Sequence, residues 1–148
     1  MKQKTITDAM LTDLYQLTMA QGYFLSGQDK IDACFTMFFR DNPFKGGFAI
    51  AAGIEPALEY LQNFGFGQED IDYLRTLKAA DGSPLFVEEF LQELLNFKFT
   101  CDVDAVDEGS VVFAREPLIQ VCGPIAQCQL VETTLLNILN FSTLIATK

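Results

Sequence analysis

Apolar residues along the chain recur with two periods, and the period switches more than once. From Thr7 to Leu25 the positions Met10, Leu11, Leu14, Leu17, Met19 and Phe24 return at helical spacing, with Thr7 or Asp8 as N-cap and Gly27 beyond the end. Lys30 to Arg40 is Phe-rich and partly alternating. After turn chemistry at Asp41-Asn42-Pro43 and Lys45-Gly46-Gly47 a second apolar run covers Phe48 to Ala52, so two strands joined by a loop are predicted. Gly53 opens a helix with Pro56 in its first turn and Ala57, Leu58, Leu61 and Phe64 on its buried face, ending at Gly65. Two more helices are predicted over Gln68 to Lys78 and Pro84 to Asn96, separated by Asp81-Gly82-Ser83.

From Phe97 to Val121 the period becomes two, broken at Glu108-Gly109 and Glu116-Pro117, which predicts three or four short strands. Asp102 and Asp104 alternate with Val103 and Ala105 and so face outward. After Gly123-Pro124 the chain reads as one helix from Ile125 onward, with Leu130, Val131, Leu135, Leu136, Leu139, Phe141, Leu144 and Ile145 covering most of its circumference. A helix apolar nearly all round is either buried in a large protein or spans a membrane. Gln127, Gln129, Glu132, Asn137 and Asn140 interrupt any run of about 18 apolar residues, which favours burial. The helical pattern is still running at Ala146-Thr147-Lys148 with no stop signal after Ile145, so the expectation is the first part of a longer polypeptide. The predicted organisation is an α+β domain over residues 1–123 and a long apolar helix over 124–148.

Composition narrows the chemistry. The chain has no histidine, which removes Ser-His-Asp and Cys-His catalysis and every His-containing zinc site. Ten Lys and Arg against 20 Asp and Glu give a formal charge of -10, so nucleic acid is not an expected partner. Cys34, Cys101, Cys122 and Cys128 form no CxxC pair and lie in apolar runs, and are expected to be buried, reduced thiols in a cytosolic protein, with disulfides as the alternative. Residues 1–8 are polar and lack the apolar stretch of a secretory signal.

Few residues invite a chemical role. Asp13 and Tyr15 lie two apart near a helix start; alone they are a solvated carboxylate and a half-buried ring, but beside a flat ligand the ring could stack and the carboxylate accept a hydrogen bond. Arg40 ends a strand before a Pro/Gly loop, where a guanidinium either pairs with a surface carboxylate such as Asp41 or reaches an anion such as phosphate. Neither Lys45-Gly46-Gly47 nor Gly46 to Gly53 forms a nucleotide-binding fingerprint. Glu69, Asp70, Asp72, Glu88, Glu89 and Glu93 decorate amphipathic helices without metal-loop spacing.

Several segments in order nevertheless carry a likeness. They are Leu11-Thr12-Asp13-Leu14-Tyr15-Gln16-Leu17-Thr18-Met19-Ala20, Phe38-Phe39-Arg40-Asp41-Asn42-Pro43-Phe44 followed by Gly46-Gly47-Phe48-Ala49-Ile50-Ala51-Ala52-Gly53, Glu108-Gly109 with Arg115-Glu116-Pro117-Leu118, and Gly123-Pro124 through Leu144-Ile145-Ala146-Thr147-Lys148. Across essentially its whole length the chain resembles the amino-terminal part of nicotinate phosphoribosyltransferases. The resemblance implies the mixed helix-and-strand domain of a type II phosphoribosyltransferase, without the irregular α/β barrel against which that domain packs. It also implies a cytoplasmic homodimer whose active sites are completed by the neighbouring subunit.

Members couple nicotinate with 5-phosphoribosyl 1-pyrophosphate to give nicotinate mononucleotide and pyrophosphate, driven by ATP with Mg2+ through a phosphorylated histidine of the barrel. This chain has no histidine for that step, so it is expected to be inactive alone and to bind neither ATP nor Mg2+ by itself. By resemblance Tyr15 stacks on nicotinate in the partner subunit's site, Asp13 shapes the same pocket and Arg40 faces the phosphates of the sugar donor. The residues that distinguish nicotinate from nicotinamide are expected outside this stretch. The competing expectation is a free-standing interaction domain that docks a partner on the apolar face of its last helix, with neither membrane nor nucleic acid as partner.

Overall fold

The structure is a computed structural model and describes residues 9–148. Its elements are α1 (Leu14–Ser26), β1 (Asp32–Phe38), a short 3-10 turn (Pro43–Lys45), β2 (Ala49–Ile50), α2 (Ile54–Asn63), α3 (Gln68–Thr76), α4 (Glu88–Leu95), β3 (Asp102–Ala105), β4 (Val111–Val112), β5 (Pro117–Pro124) and α5 (Ile125–Thr147). The strands form two antiparallel sheets, one in the order β1-β5-β3 and one joining β2 to β4. This is the expected α+β class with short strands.

α5 is the shared wall of both sheets. Its buried residues Cys128, Leu130, Val131, Leu135 and Leu139 join Leu17, Ala20, Ile54, Tyr60, Ile71, Leu74, Phe90, Leu91, Ile119 and Val121 in the main core. A smaller core of Ala49, Ala51, Val112 and Leu118 lies under the second sheet. By length and apolar composition α5 could cross a membrane, but Leu130, Val131 and Leu139 are almost fully buried within the domain, as in the core helix of a globular protein. Leu136, Phe141 and Ile145 remain on an exposed face of the same helix.

Element boundaries depart from expectation where side chains capture the backbone. α1 begins at Leu14 with Asp13 as N-cap, because residues 11–13 are held against α5 instead of extending the helix; the N-cap candidates Thr7 and Asp8 lie outside the described residues. α4 begins at Glu88 and not at Pro84. The preceding stretch is drawn into other pairings: Leu85 N–H donates to the Leu77 carbonyl at 3.0 Å, and Val87 N–H donates to Gln21 Oε1 at 2.7 Å. The apolar run Phe48 to Ala52 contributes only the two-residue β2.

Gly53 is where α2 meets α5. Its φ is +90°, and a Cβ there would lie 2.8 Å from the Ser142 side chain and 3.0 Å from the Ile138 carbonyl. The first turn of α2 is capped from a distance by Glu108, whose carboxylate accepts from Gly53 N–H at 2.8 Å and Ile54 N–H at 2.7 Å. The negative charge therefore lies at the positive end of the helix dipole.

The expectation of four buried, reduced thiols is corrected on both counts, since Cys34 is exposed, Cys101 and Cys122 are half-buried, and two of the four are paired. Cys34 and Cys122 are opposite residues in the β1–β5 register with Cα atoms 4.1 Å apart, and they are joined by a disulfide. The cause is register, which alternation within a single strand cannot reveal. Cys101 and Cys128 are free, with sulfurs 3.9 Å apart. Burial, reinforced by the neighbouring Cys128, pushes the Cys101 thiol up to about 12, and burial also raises Cys128.

Two outcomes follow. Gly53→Ala combines a left-handed backbone with overpacking and should lower stability by about 2–4 kcal/mol, read from the denaturant midpoint; an unchanged midpoint would show that Ser142 yields without cost. Because the thiolate is the nucleophile, Cys101 and Cys128 should react with iodoacetamide at pH 8 more slowly in the folded protein than on unfolding, and rapid labelling of either in the native state contradicts the raised thiols of half-buried Cys101 and buried Cys128.

Candidate functional site

Three consecutive polar residues of α5 grip the segment leading into α1. Thr134 Oγ1 donates to the Leu11 carbonyl at 2.6 Å, Thr133 Oγ1 donates to Asp13 Oδ2 at 3.0 Å, and Glu132 Oε2 accepts from Gln16 Nε2 at 3.1 Å. Thr12 Oγ1 bonds Gln16 Oε1 and closes the network. Gln16 and Thr134 are wholly buried, where unmet polar groups are costly, so the network defines one arrangement of the turn.

That arrangement turns Tyr15 outward. Gln16 and Leu17 point into the core, while Tyr15 is 50% exposed between exposed Leu11, Leu14 and Met19. The result is an open aromatic face in an apolar collar, with the Asp13 carboxylate two residues away and one of its oxygens already engaged by Thr133. An exposed ring face of this kind can stack on a flat partner.

Arg40 lies at a second station. It follows β1 and is exposed, and its neighbour Phe39 accepts a 2.7 Å hydrogen bond at its carbonyl from Arg115 N–H. Thr143 and Thr147 of α5 anchor the adjoining strand: Ala52 N–H donates to Thr143 Oγ1 at 3.2 Å and Ile50 N–H donates to Thr147 Oγ1 at 2.9 Å. From Thr133 to Thr143 the helix rises roughly 15 Å at 1.5 Å per residue. Asp13 and Tyr15 therefore share one station, and Arg40 lies nearer the other end of α5.

The acidic clusters are structural. Arg75 bridges Asp72 and Glu88, each at 2.8 Å, and ties α3 to α4 at the surface; the Arg75 hydrogen bond holds the Glu88 carboxyl down at about 2. Asp102 and Asp104 point outward from β3. Among the described residues no group of three His, Cys, Asp or Glu side chains could hold a metal ion.

Sequence reasoning missed Gln16, Glu132, Thr133 and Thr134, although a signal was present: a polar triplet in the middle of an otherwise apolar helix. It also missed Arg115, whose φ of 70° can be seen only in the folded chain.

The structure is thus an α+β domain that displays an exposed tyrosine ring at one station along its core helix and an exposed arginine at the other. Residues 10–140 match the model of the nicotinate phosphoribosyltransferase (NAPRTase) N-terminal domain, and the chain belongs to that family. The nicotinate phosphoribosyltransferase of Caenorhabditis elegans is 43% identical over 99% of this chain and 25% of its own length, and that of Bacillus subtilis is 43% identical over 93% of the chain and 27% of its own. The crystal structure of human nicotinic acid phosphoribosyltransferase superposes with a TM-score of 0.82 at 38% identity, covering 93% of this chain and 27% of that one. The chain thus spans about a quarter of the length of the curated relatives it matches.

Thr134→Val removes the donor to a buried carbonyl and should cost about 1–3 kcal/mol of stability, whereas Thr134→Ser should recover most of it. Equal denaturation midpoints for the Val and Ser variants would show that the hydrogen bond is not what holds the turn.

Proposed function

We propose that this domain serves the nicotinate phosphoribosyltransferase reaction, in which the ring nitrogen of nicotinate bonds to the anomeric carbon of 5-phosphoribosyl 1-pyrophosphate. The carbon–oxygen bond to pyrophosphate breaks, and pyrophosphate leaves with the electron pair. The observation that carries the proposal is Tyr15, half-exposed beside a polar network anchored on buried Gln16 and Thr134, in a chain of this family.

Each candidate residue has a part that its chemistry fits. Tyr15 offers a ring face on which the pyridine stacks, and Asp13 borders the same pocket with its remaining carboxylate oxygen. Arg40 faces the sugar donor's phosphates, where a guanidinium forms paired hydrogen bonds and stabilises the charge gathering on the leaving group. These side chains complete the site of a second subunit in a cytoplasmic homodimer. ATP hydrolysis supplies driving force. ATP and Mg2+ belong to the complete enzyme in this reading.

The test is steady-state kinetics of nicotinate mononucleotide formation in the complete enzyme. Tyr15→Ala should raise the KM for nicotinate by about three- to tenfold while Tyr15→Phe stays near the unmutated value, as expected for loss of aromatic stacking. Arg40→Ala should raise the KM for the sugar donor by about tenfold or more, the size of a lost charge-assisted pair. An unchanged KM for the matching substrate removes that residue from the site.

A further inference from the structure

The end of the domain that carries Arg40 holds three further basic residues to which the proposed reaction gives no part. Arg40, Lys45, Arg115 and Lys148 lie there, in a chain whose formal charge is -10. Three contacts join the chain segments that carry them. Arg115 N–H donates to the carbonyl of Phe39, the residue before Arg40, at 2.7 Å. Lys148 Nζ lies 4.8 Å from the centre of the Phe44 ring, beside Lys45. Thr147, the residue before Lys148, accepts from Ile50 N–H and joins the end of α5 to β2.

Two further observations separate this pole from ordinary surface charge. Among the described residues the ion pairs all belong to Arg75, so Arg40 and Arg115 have no carboxylate within pairing distance. The neighbouring Glu116 is occupied in accepting from Phe113 N–H at 2.9 Å. Moreover, among the described residues those other than glycine with positive φ are Phe44, Lys45 and Arg115, at 57°, 57° and 70°, and all three belong to this pole. A backbone conformation that side chains rarely adopt persists where the surroundings impose it, and such positions gather at binding sites.

The geometry points to Arg115 as a second anion-binding residue beside Arg40, the two guanidinium groups receiving a diphosphate with Lys45 and Lys148 at the rim. Two guanidinium groups on adjacent backbone match the spread of charge over two linked phosphates better than one, and each can form paired hydrogen bonds. The inference rests on the proposed role of Arg40 for its substrate context, but it adds a residue with its own test. The same chemistry would take the diphosphate of the sugar donor or the polyphosphate of a nucleotide.

The experiment measures binding of inorganic diphosphate to the complete enzyme by calorimetry, alongside KM for the sugar donor and for ATP. Arg115→Gly is the informative variant, because glycine adopts the left-handed backbone freely and so removes the charge while keeping the turn. Arg115→Gly and Arg115→Ala should both weaken diphosphate binding by about tenfold or more, and Arg115→Lys should restore much of it. Whichever KM rises with them identifies the source of the diphosphate.

Normal diphosphate affinity in Arg115→Gly overturns the inference and leaves Arg115 as a turn residue; absence of diphosphate binding by the unmutated enzyme overturns it as well. If Arg40→Ala weakens binding and Arg115→Gly does not, this inference fails and the Arg40 role stands. If only Arg115→Gly weakens it, the Arg40 role fails and the two-guanidinium site is overturned with it, leaving Arg115 as the diphosphate contact.

Discussion

The domain depends on hydroxyl groups buried along a helix that is otherwise a hydrophobic wall. Thr134 satisfies the Leu11 carbonyl, Thr143 both accepts from Ala52 N–H and donates to its carbonyl, and Thr147 accepts from Ile50 N–H. Each reaches irregular backbone more than 90 residues away in sequence. Apolar packing of Leu130, Val131, Leu135 and Leu139 supplies the bulk of the attraction, but it is non-directional. The threonines convert it into fixed registry, because a carbonyl or amide left unmet beside that wall would be costly. Both stations of the candidate site inherit their positions from these contacts.

Much of the fold was legible in the sequence. Helical period located α2, α3 and α5, and alternation located β1 and β5, because each of these buries one consistent set of side chains. The misplaced boundaries share a cause. Leu11 to Asp13 and Pro84 to Val87 carry helix-compatible residues, yet their backbone groups are claimed by Thr134 and Gln21, which are far away in sequence. Local spacing cannot report such competition. The Cys34–Cys122 pairing was hidden for a related reason, since it depends on which strands become neighbours.

The site was legible only in its exposed parts. Tyr15, Asp13 and Arg40 could be named from residue type and family likeness, while the groups that hold them could not. Glu132 drew attention as an interruption in an apolar run, and the fold shows what the interruption does: it receives the buried Gln16 amide. Polar residues placed against the trend of a hydrophobic helix are thus informative about the neighbours they must satisfy. Arg115 lay in a segment that carried the family likeness, but its distinguishing property is a backbone angle that only the folded chain displays.

Glu108 bears on how this domain can hold any anion. Its carboxylate already occupies the amides that open α2, so the partial positive charge of that helix end is answered from within the chain. Attraction of an external anion then falls to long, solvated side chains instead of fixed dipoles. Charges of that kind are screened strongly by dissolved salt, whereas aromatic stacking is largely indifferent to it. In the proposed roles the two stations along α5 should therefore respond differently to ionic strength, one fading as salt rises and the other holding.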